Sequence, residues 1–450
     1  MKRTLVKSAT VLTMDAALGN LRPGDILIEG ERIAAVGPRI TAEAEVVDGA
    51  PFIIIPGLIN AHMHTWQTGL RGIAANWTLL EYFRWVHAGL ATRFRPDDIH
   101  IATLAGALNQ IDCGTTTLVD WCHNNPTPEH TDAAVDALAR SGIRAAFFHG
   151  SPKPDPRPGE PHFSEVPHPR GEVERLLRGR FASRDQLLTL GLAILGPHYS
   201  TLEVVLHDFR LAREMGLVAS MHQGGGAAKS PEGWDVLERA GLVGPGINIV
   251  HGNDLSHDRL RRFVDSGVSF SVAAENEMSQ GHGHPITGRL RALGAAPSLG
   301  IDLESVLSGE MLLAARIALG HQRALDNAAY RIAAGAIRET TTIPVREALR
   351  WITIEGARML GLEARIGSIT PGKQADLTFI RADALNLWPV HDPSATVIMQ
   401  AGLANIDGVM IAGAWRKRDG KLLGVDAHRL REALAASGVR IARELGVTTN

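Results

Sequence analysis

The chain has 450 residues, of which 45% are hydrophobic and 21% are charged, and its formal net charge is −2. This composition is that of a globular protein with a large core, and it excludes a disordered or fibrous chain. The basic residues are scattered, so we expect no nucleic-acid surface, and a small molecule is the expected partner. The length favours one large domain and one smaller domain.

Targeting and redox signals are weak. Cys113 and Cys122 have the spacing of neither a metal site nor a redox pair, and so few cysteines suit a reducing compartment. The first residues lack the apolar core of a signal peptide, and no stretch approaches the roughly 20 apolar residues that cross a bilayer. We therefore expect a cytoplasmic protein without a membrane segment.

The middle of the chain alternates between apolar runs and segments of helical periodicity, which indicates parallel strands joined by crossover helices. Eight strands close a barrel whose chemistry lies at the carboxyl ends of the strands. The runs that predict these strands are "IIIPGLINAH", "TTTLVDW", "RAAFFHG", "LLTLGLAILGP", "LVASMHQ", "INIVHGN", "SFSVAAE" and "PSLGID".

Both ends of the chain have a different pattern. Residues 1–55 and 367–424 contain short strand-like runs divided by turn residues, and we expect them to form one small domain. The predicted fold is of the α/β class, a (β/α)8 TIM-like barrel over residues 56–366 with a flanking β-sandwich domain formed by both chain termini. Residues 425–450 predict a closing amphipathic helix.

Residues 151–170, "SPKPDPRPGEPHFSEVPHPR", contain seven prolines, which exclude a helix or a central strand. The segment follows the third predicted barrel strand. Two interpretations remain open, a lid over the barrel mouth and a surface insertion without a function.

Histidines and one aspartate end several of the predicted strands. His62 and His64 are two residues apart on one strand, so their side chains point the same way. His222, His251 and Asp302 end the fifth, sixth and eighth runs, and all five side chains are expected to converge on one rim of the barrel. Three imidazoles and a carboxylate suit zinc or ferrous iron, with one position left for water. Water on such an ion loses a proton near neutral pH.

The chain also resembles a known family. The motif "PGLINAHMH", the strand-end residues, and the segments "GTTTLVD", "TIEGARMLGL" and "GSITPGKQADLTFI" resemble the amidohydrolase superfamily, in particular its cytosine deaminase and chlorotriazine hydrolase-like branch. The resemblance covers nearly the whole chain. It implies that His62, His64, His222 and Asp302 are metal ligands, and that His251 contacts the metal-bound water or the polarised substrate atom.

The resemblance also bears on the number of metals and subunits. Family members with two metals bridge them with a carboxylated lysine, typically at the end of the fourth strand, and the fourth run here ends "LAILGPHYST" without one. We therefore expect a single divalent metal, with zinc preferred and iron as the alternative. Relatives commonly form dimers or tetramers, so the resemblance implies a homo-oligomer.

One position departs from the family pattern. Deaminases of this branch carry H-x-x-E after the fifth strand, where the glutamate moves a proton to the leaving nitrogen, whereas "HQGG" puts Gly225 at that place. Asp302 can move the proton instead. Glu277, just past the seventh run, is a second candidate acid, and a plain role in hydrogen-bonding its loop is the alternative.

Further residues are candidates for contact with the substrate. His198 in "GPHYS" matches a substrate-facing position of some relatives, with a structural role as the alternative. Trp66 and Gln67, after the first strand, are candidates for lining a pocket, or else pack the loop. His282 and His284 form a second H-x-H in an irregular loop, where substrate-facing or structural roles are favoured over a second metal.

The sequence thus predicts a metal-dependent hydrolase that cleaves a C–N bond of an amide, urea, amidine or related group. Two alternatives stay open. One is deamination of an aminated heterocycle of the purine, pterin or triazine type with a non-standard acid. The other is a non-catalytic binding protein that kept the barrel, which predicts missing ligands, whereas all five positions are filled here.

Overall fold

The structure, a computed structural model, describes residues 2–446. Its strands form two sheets, one of nine strands and one of eight. The strands are β1 (Arg3–Leu12), β2 (Asn20–Glu29), β3 (Arg32–Gly37), β4 (Glu45–Asp48), β5 (Phe52–Pro56), β6 (Leu58–Met63), β7 (Thr115–Cys122), β8 (Arg144–Gly150), β9 (Leu188–Ala193), β10 (Ala219–Gln223), β11 (Ile247–His251), β12 (Ser269–Val272), β13 (Ser298–Leu299), β14 (Leu377–Arg381), β15 (Ile406–Ile411), β16 (Ala414–Arg418) and β17 (Lys421–Leu422).

Helices fill the connections of the barrel and close the chain. The α-helices are α1 (Leu79–Tyr82), α2 (Pro96–Asp112), α3 (Pro128–Ser141), α4 (Arg170–Arg178), α5 (Gly196–Tyr199), α6 (Leu202–Met215), α7 (Gly233–Arg239), α8 (His257–Asp265), α9 (Ala274–Gln280), α10 (Thr287–Ala292), α11 (Met311–Ala334), α12 (Val345–Trp351), α13 (Ile354–Met359), α14 (Pro393–Ala395) and α15 (Ala427–Glu444). Short 3-10 or π turns occupy Thr65–Leu70, Phe83–His87, Leu90–Arg93, Phe163–Glu165, Thr396–Gln400 and Leu403–Asn405.

The eight-stranded sheet is a parallel barrel. Strands β6 to β13 are neighbours in chain order, and a backbone bridge between Met63 and Asp302 closes the ring. Every residue of β7 and of β8 is buried, as expected for parallel strands that side chains fill on one face and helices cover on the other. The predicted eight-stranded barrel is therefore confirmed.

The nine-stranded sheet contains strands from both ends of the chain. Its order is β17-β16-β15-β14-β5-β1-β2-β3, with β4 paired to β1. It has its own apolar cluster, which includes Val6, Ile26, Ile54, Leu377 and Phe379. The prediction that both termini build a separate β unit is confirmed, and its strands are hydrogen-bonded into one mixed sheet.

The first apolar run serves both sheets. Phe52–Pro56 pairs with β1 and β14 in the terminal sheet, whereas Leu58–Met63 pairs with β7 in the barrel. The prediction that "IIIPGLINAH" is one barrel strand is therefore wrong in its first half. The chain changes sheets at Gly57, where an added Cβ would lie 2.0 Å from Oγ1 of Thr116, so only glycine fits the crossing.

The last helix and the proline-rich segment match their predicted character. Helix α15 ends at Glu444, and residues 447–450 of the predicted helical segment lie outside the described residues. Residues 151–170 form irregular chain with one 3-10 turn, and α4 begins only at Arg170. Among residues 2–446, no helix combines the length and the apolar character that crossing a bilayer requires.

Candidate metal centre and active-site cavity

Four predicted ligands meet at the carboxyl end of the barrel. His62 lies on β6, His64 follows that strand directly, His222 lies on β10, and Asp302 follows β13. One ligand atom from each lies within 4.8 Å of the others. Nε2 of His62 is 3.1 Å from Oδ1 of Asp302 and 3.2 Å from Nε2 of His222. The structure thus brings together side chains that are up to 240 positions apart in the sequence.

The backbone is unusual at two of the strand ends. His251 and Asp302 have φ values of 68° and 69°, in the left-handed region that non-glycine residues rarely adopt. Such conformations persist where the surrounding structure holds them, and they cluster at functional sites. At these positions the side chain of Asp302 belongs to the ligand cluster, and the side chain of His251 lies next to it.

The imidazoles of the cluster are held neutral. Burial lowers the pKa of His64 to about 3, lowers the pKa of His62, and places the pKa of His222 well below its ordinary value. Nδ1–H of His64 donates to the carbonyl oxygen of Trp121 over 2.7 Å, which leaves the Nε2 lone pair free on the side of the cluster. Neutral imidazoles with bare nitrogens are the form that binds metal ions.

Asp302 is the anionic member of the cluster. Burial alone would raise its pKa, but the hydrogen bond with His62 and the neighbouring imidazoles hold the pKa of Asp302 well below its usual range. Its Oδ2 accepts a 2.7 Å hydrogen bond from Nδ2 of Asn276, which fixes the orientation of the carboxylate.

The donor set fits one divalent cation. Nε2 of His62 and Nε2 of His222, 3.2 Å apart, surround a single point together with a third imidazole and a carboxylate. Three nitrogens and one oxygen are typical ligands of zinc or ferrous iron. Two of the candidate ligands are held in place, His64 by donating to the carbonyl oxygen of Trp121 and Asp302 by accepting from Asn276, which is the usual support of a metal site.

His251 stands beside the cluster and is oriented by Glu277. Its Nδ1–H donates to Oε1 of Glu277 over 3.1 Å, and its Nε2 lies 3.6 Å from Oδ2 of Asp302. Burial opposes protonation of His251, but the hydrogen bond to Glu277 and the charge of Asp302 outweigh it and raise the pKa of His251. The ring therefore directs its Nε2–H towards the ligand cluster.

Glu277 lies behind His251 rather than in the cavity. Its side chain is fully buried and also accepts hydrogen bonds from the backbone N–H of Ala273, over 2.8 Å, and from Nδ2 of Asn253, over 3.0 Å. Glu277 is not among the residues that line the inner cavity. The geometry gives Glu277 the part of a positioning residue, and His251 is the group that reaches the centre.

A cavity opens from the cluster. Its inner part is small, about 30 Å³, and adjoins an outer cavity of about 600 Å³. The two parts share Phe83, His87, Lys153 and Tyr199 as wall residues. The inner wall consists of His64, Leu79, Tyr82, Phe83, His87, His123, Lys153, Tyr199, His222, His251, Gln280, His282, Asp302 and Leu303.

Trp66 and Gln67 support this wall from behind. Both are fully buried in the turn after β6. Nε1–H of Trp66 donates to Nδ1 of His123 over 3.2 Å, and Nε2–H of Gln67 donates to the hydroxyl oxygen of Tyr82 over 2.6 Å. Trp66 and Gln67, the two predicted substrate contacts, therefore hold residues of the cavity wall by hydrogen bonds and do not line the inner cavity themselves.

The remaining predicted histidines differ in position. His198 is buried next to Gln223, with 3.3 Å between Nδ1 and Nε2, and lies outside the inner wall. His282 lines the wall and packs against His251 with 4.4 Å between ring centroids. His284 is exposed and pairs with His321 over 3.0 Å, so the second H-x-H is split between the cavity and the surface.

Gly225 leaves no space for an acid. Its φ is +98°, and an added Cβ would lie 2.9 Å from Cδ2 of Leu79 and 3.0 Å from the hydroxyl oxygen of Tyr199. The neighbouring side chains thus occupy the volume that a longer residue at this position would need.

Sequence reasoning missed Lys153. It belongs to the proline-rich segment, three residues after β8 ends, yet it is only 8% exposed and lines both parts of the cavity. Burial lowers the pKa of Lys153 to about 8. The available signal was a lone cation next to a barrel strand end. His123, a polar residue directly after β7, had a similar signal in its position at a strand end.

A parallel eight-stranded barrel with three histidines and an aspartate at its carboxyl end defines a class, the metal-dependent barrel hydrolases. A sequence model of the Amidohydrolase family matches residues 53–416, and the chain belongs to that family. It is therefore a metal-dependent hydrolase that acts on carbon–nitrogen bonds other than peptide bonds.

Individual proteins resemble the chain over its whole length. An 8-oxoguanine deaminase of Pseudomonas aeruginosa is 28% identical, with 98% of this chain and 99% of that protein covered. A 5-methylthioadenosine/S-adenosylhomocysteine deaminase of Desulforudis audaxviator is also 28% identical, with the same coverage of 98% and 99%. The zinc-bound atrazine chlorohydrolase of Arthrobacter aurescens TC1 has a TM-score of 0.84 at 22% identity, covering 97% of this chain and 100% of that one, which shows the shared fold.

Proposed function

We propose that the protein deaminates an aminated, planar N-heterocycle by hydrolysis, with one zinc ion held by His62, His64, His222 and Asp302. The observation that carries the proposal is the pairing of this four-ligand cluster with an adjacent cavity walled by flat side chains. Such walls suit a flat ring, since aromatic faces stack on planar ligands. Phe83, His87 and Tyr199 line both parts of the cavity, Tyr82 and His123 line the inner part, and Trp85 and Phe163 line the outer part, which has the volume for a ring.

Each residue has a definite task in this proposal. When bound, a divalent ion lowers the pKa of water and polarises the atom under attack. Asp302, held by Asn276, takes the proton of the attacking water and passes it towards the leaving nitrogen. His251, fixed by Glu277, donates a hydrogen bond from Nε2 to negative charge that develops near the reacting carbon.

The similar proteins give the proposal chemical support. 8-Oxoguanine and 5-methylthioadenosine both carry an amino group on a purine ring, and the deaminases named for them align with this chain from end to end. A purine-type ring is therefore the first class of substrate to test, followed by pterins and triazines.

Gly225 favours a second candidate function, cleavage of an amide, urea or amidine bond. An amino group leaving a ring must gain a proton, and Gly225 supplies no side chain for that step. If Asp302, whose pKa is held low, is too weak a base to take up the water proton and carry it to a ring amine, a better leaving group is required. The products distinguish the two functions, since a ring amine gives ammonia and a substituted amide or urea gives an amine.

The test is a screen with zinc-loaded and iron-loaded protein against aminated purines, pterins and triazines, together with amides, ureas and carbamates. We expect ammonia release and a shift of the ring absorbance for at least one heterocycle, and none with the D302N variant. Hydrolysis of amides or ureas alone would favour the second candidate. Inactivity on every compound would reject both.

We also propose that the protein acts in the cytoplasm as a homo-oligomer, a dimer or a tetramer, on a small molecule and without nucleic acid. The support for an oligomer is the family membership, because relatives commonly form dimers or tetramers. Light scattering on the eluting protein tests the subunit number, and a monomer would contradict the proposal.

A further inference from the structure

Lys153 is a buried cation beside the ligand cluster. It is 8% exposed, and its Nζ lies 5.0 Å from the ring centroid of Tyr199 and 5.7 Å from that of Trp121. These ring faces attract an ammonium by about 0.5–2 kcal/mol each. The proline-rich segment that carries Lys153 therefore reaches into the catalytic end of the barrel, which favours its interpretation as a cover over the mouth.

The protein supplies no dedicated anion for this ammonium. Within residues 2–446, no carboxylate oxygen pairs with Nζ of Lys153 within 4.0 Å, and Asp302 is the acidic side chain whose charge acts on it. Asp302 is also the one acidic residue among the inner wall residues. Its charge is already engaged by the imidazole cluster, with His62 at 3.1 Å.

A buried charge without a partner costs several kcal/mol, and the attraction of two aromatic faces offsets only part of this cost. A divalent ion in the cluster adds positive charge to the same cavity. The acidic residue of the outer wall, Asp155, is exposed to solvent, so the buried part of the cavity lacks a negative charge to balance these cations, and the place for it is the space next to Lys153. This space is open to a ligand, because Lys153 lines both the inner and the outer part.

We propose that the ammonium of Lys153 pairs with an anionic oxygen of the substrate, either a carboxylate or a ring oxyanion, and so selects anionic substrates over neutral ones of the same shape. This inference deepens the proposed function and rests on it for the position of the reacting carbon. It makes Lys153 a specificity-determining residue, and the substrate an aminated planar ring with a negative charge.

The test uses binding rather than turnover. Two pairs of planar probes differ in charge, nicotinate against nicotinamide for the carboxylate, and urate against hypoxanthine for the ring oxyanion. Each is titrated calorimetrically into zinc-loaded wild type, K153M and K153R, with zinc content measured for all three proteins. Methionine keeps the length of the side chain without its charge, and arginine keeps the charge.

We expect wild type to prefer the anionic member of at least one pair by about 10-fold or more, the range of one buried charge-assisted contact. K153M should lose that preference and still bind zinc, and K153R should keep part of it. The pair that shows the effect identifies the kind of anion. Because no step depends on ammonia release, a protein that deaminates none of the rings still gives a clear answer.

Two results would overturn the inference. One is the absence of a charge preference in both pairs, including a failure of wild type to bind any of the four probes, or a preference that K153M retains. The other is a lower Tm of ligand-free K153M, since a lysine without an anionic partner destabilises the free protein and its replacement by methionine should leave Tm unchanged or raise it.

Discussion

The backbone N–H of Asp302 donates to the carbonyl oxygen of His62 over 3.0 Å, so the barrel closes at two of its own proposed metal ligands. The N–H of His64 returns a 2.8 Å hydrogen bond to the carbonyl oxygen of Asp302. The main chain of Asp302 thus completes the ring of strands, and its side chain completes the ligand cluster. Because these tasks use different atoms, substitution can separate them.

The first prediction concerns the D302N variant. Asparagine adopts the left-handed conformation that Asp302 has at φ 69°, so the barrel should close normally. The loss of the anionic ligand should lower metal content well below one ion per chain and turnover by about 1,000-fold or more. Metal analysis and circular dichroism check the two effects. A folded D302N protein with wild-type metal content and rate would refute the ligand assignment.

The second prediction concerns Glu277 as a positioning residue for His251. In E277Q the hydrogen bond to Nδ1 loses its negative partner, so the pKa of His251 should fall from its raised value. The proposed function uses the protonated form of His251. As the pH is raised, the activity of E277Q should therefore begin to fall at a lower pH than that of wild type. We expect kcat to fall by about 10- to 100-fold with little change in KM.

The pH profile separates this role from a structural one. The alkaline limb is the part of the pH profile in which activity falls as the pH rises. If kcat is lower but this limb does not move, Glu277 only supports the loop through Ala273 and Asn253. An E277D variant, which keeps the charge on a shorter side chain, should return the limb towards its wild-type position.

Strand-end chemistry was predictable from the sequence because it depends on short-range rules. Alternation places His62 and His64 on one side of a strand, and the parallel order of the strands carries His222 and Asp302 to the same rim. These rules need no knowledge of side-chain packing. The barrel and the gathering of its four candidate ligands therefore followed from the pattern of apolar runs and their last residues.

The remaining features depend on contacts that no local pattern encodes. The change of sheet at Gly57 depends on the closeness of Thr116, which is 59 positions away in the chain. The entry of Lys153 into the cavity depends on how an irregular proline-rich segment folds back over the barrel. Trp66 and Gln67 lie near the cavity, as expected, but they are buried behind the residues that line it. The fold of the turn after β6 decides this burial, and the sequence pattern does not show it.

The third prediction uses two glycines with opposite surroundings. An added Cβ at Gly300 would lie 2.4 Å from the carbonyl oxygen of His62 and 2.7 Å from its Cβ, so G300A must push His62 away. We expect a loss of about 1–3 kcal/mol in unfolding free energy and weaker metal retention. G320A is the matched control, because Gly320 lies exposed within α11 with no atom of another element within 4 Å.

In G320A the free energy of unfolding should rise by about 0.5–1 kcal/mol, and metal retention should be unchanged. Urea unfolding and competition with a chelator measure both quantities. If G300A retained metal as well as G320A does, the contact with His62 would not constrain the site.

The fourth prediction concerns His149 on β8, whose Nδ1 lies 3.0 Å from Nε2 of His168. Burial lowers the pKa of His149 from 6.5 to about 4. Between pH 6.5 and pH 4 the unfolded chain therefore binds more protons at this residue than the folded protein does. The folded protein loses stability through His149 as the pH falls across this range. Burial raises the pKa of Asp208 to about 6, so the folded protein gains stability through Asp208 as the pH falls in the same range. The contribution of His149 is therefore measured as the difference between wild type and the H149N variant. H149N should be less stable than wild type at pH 7 and recover about 3 kcal/mol relative to it by pH 4. Parallel stability curves from urea unfolding across this range would show that His149 titrates normally in the folded protein.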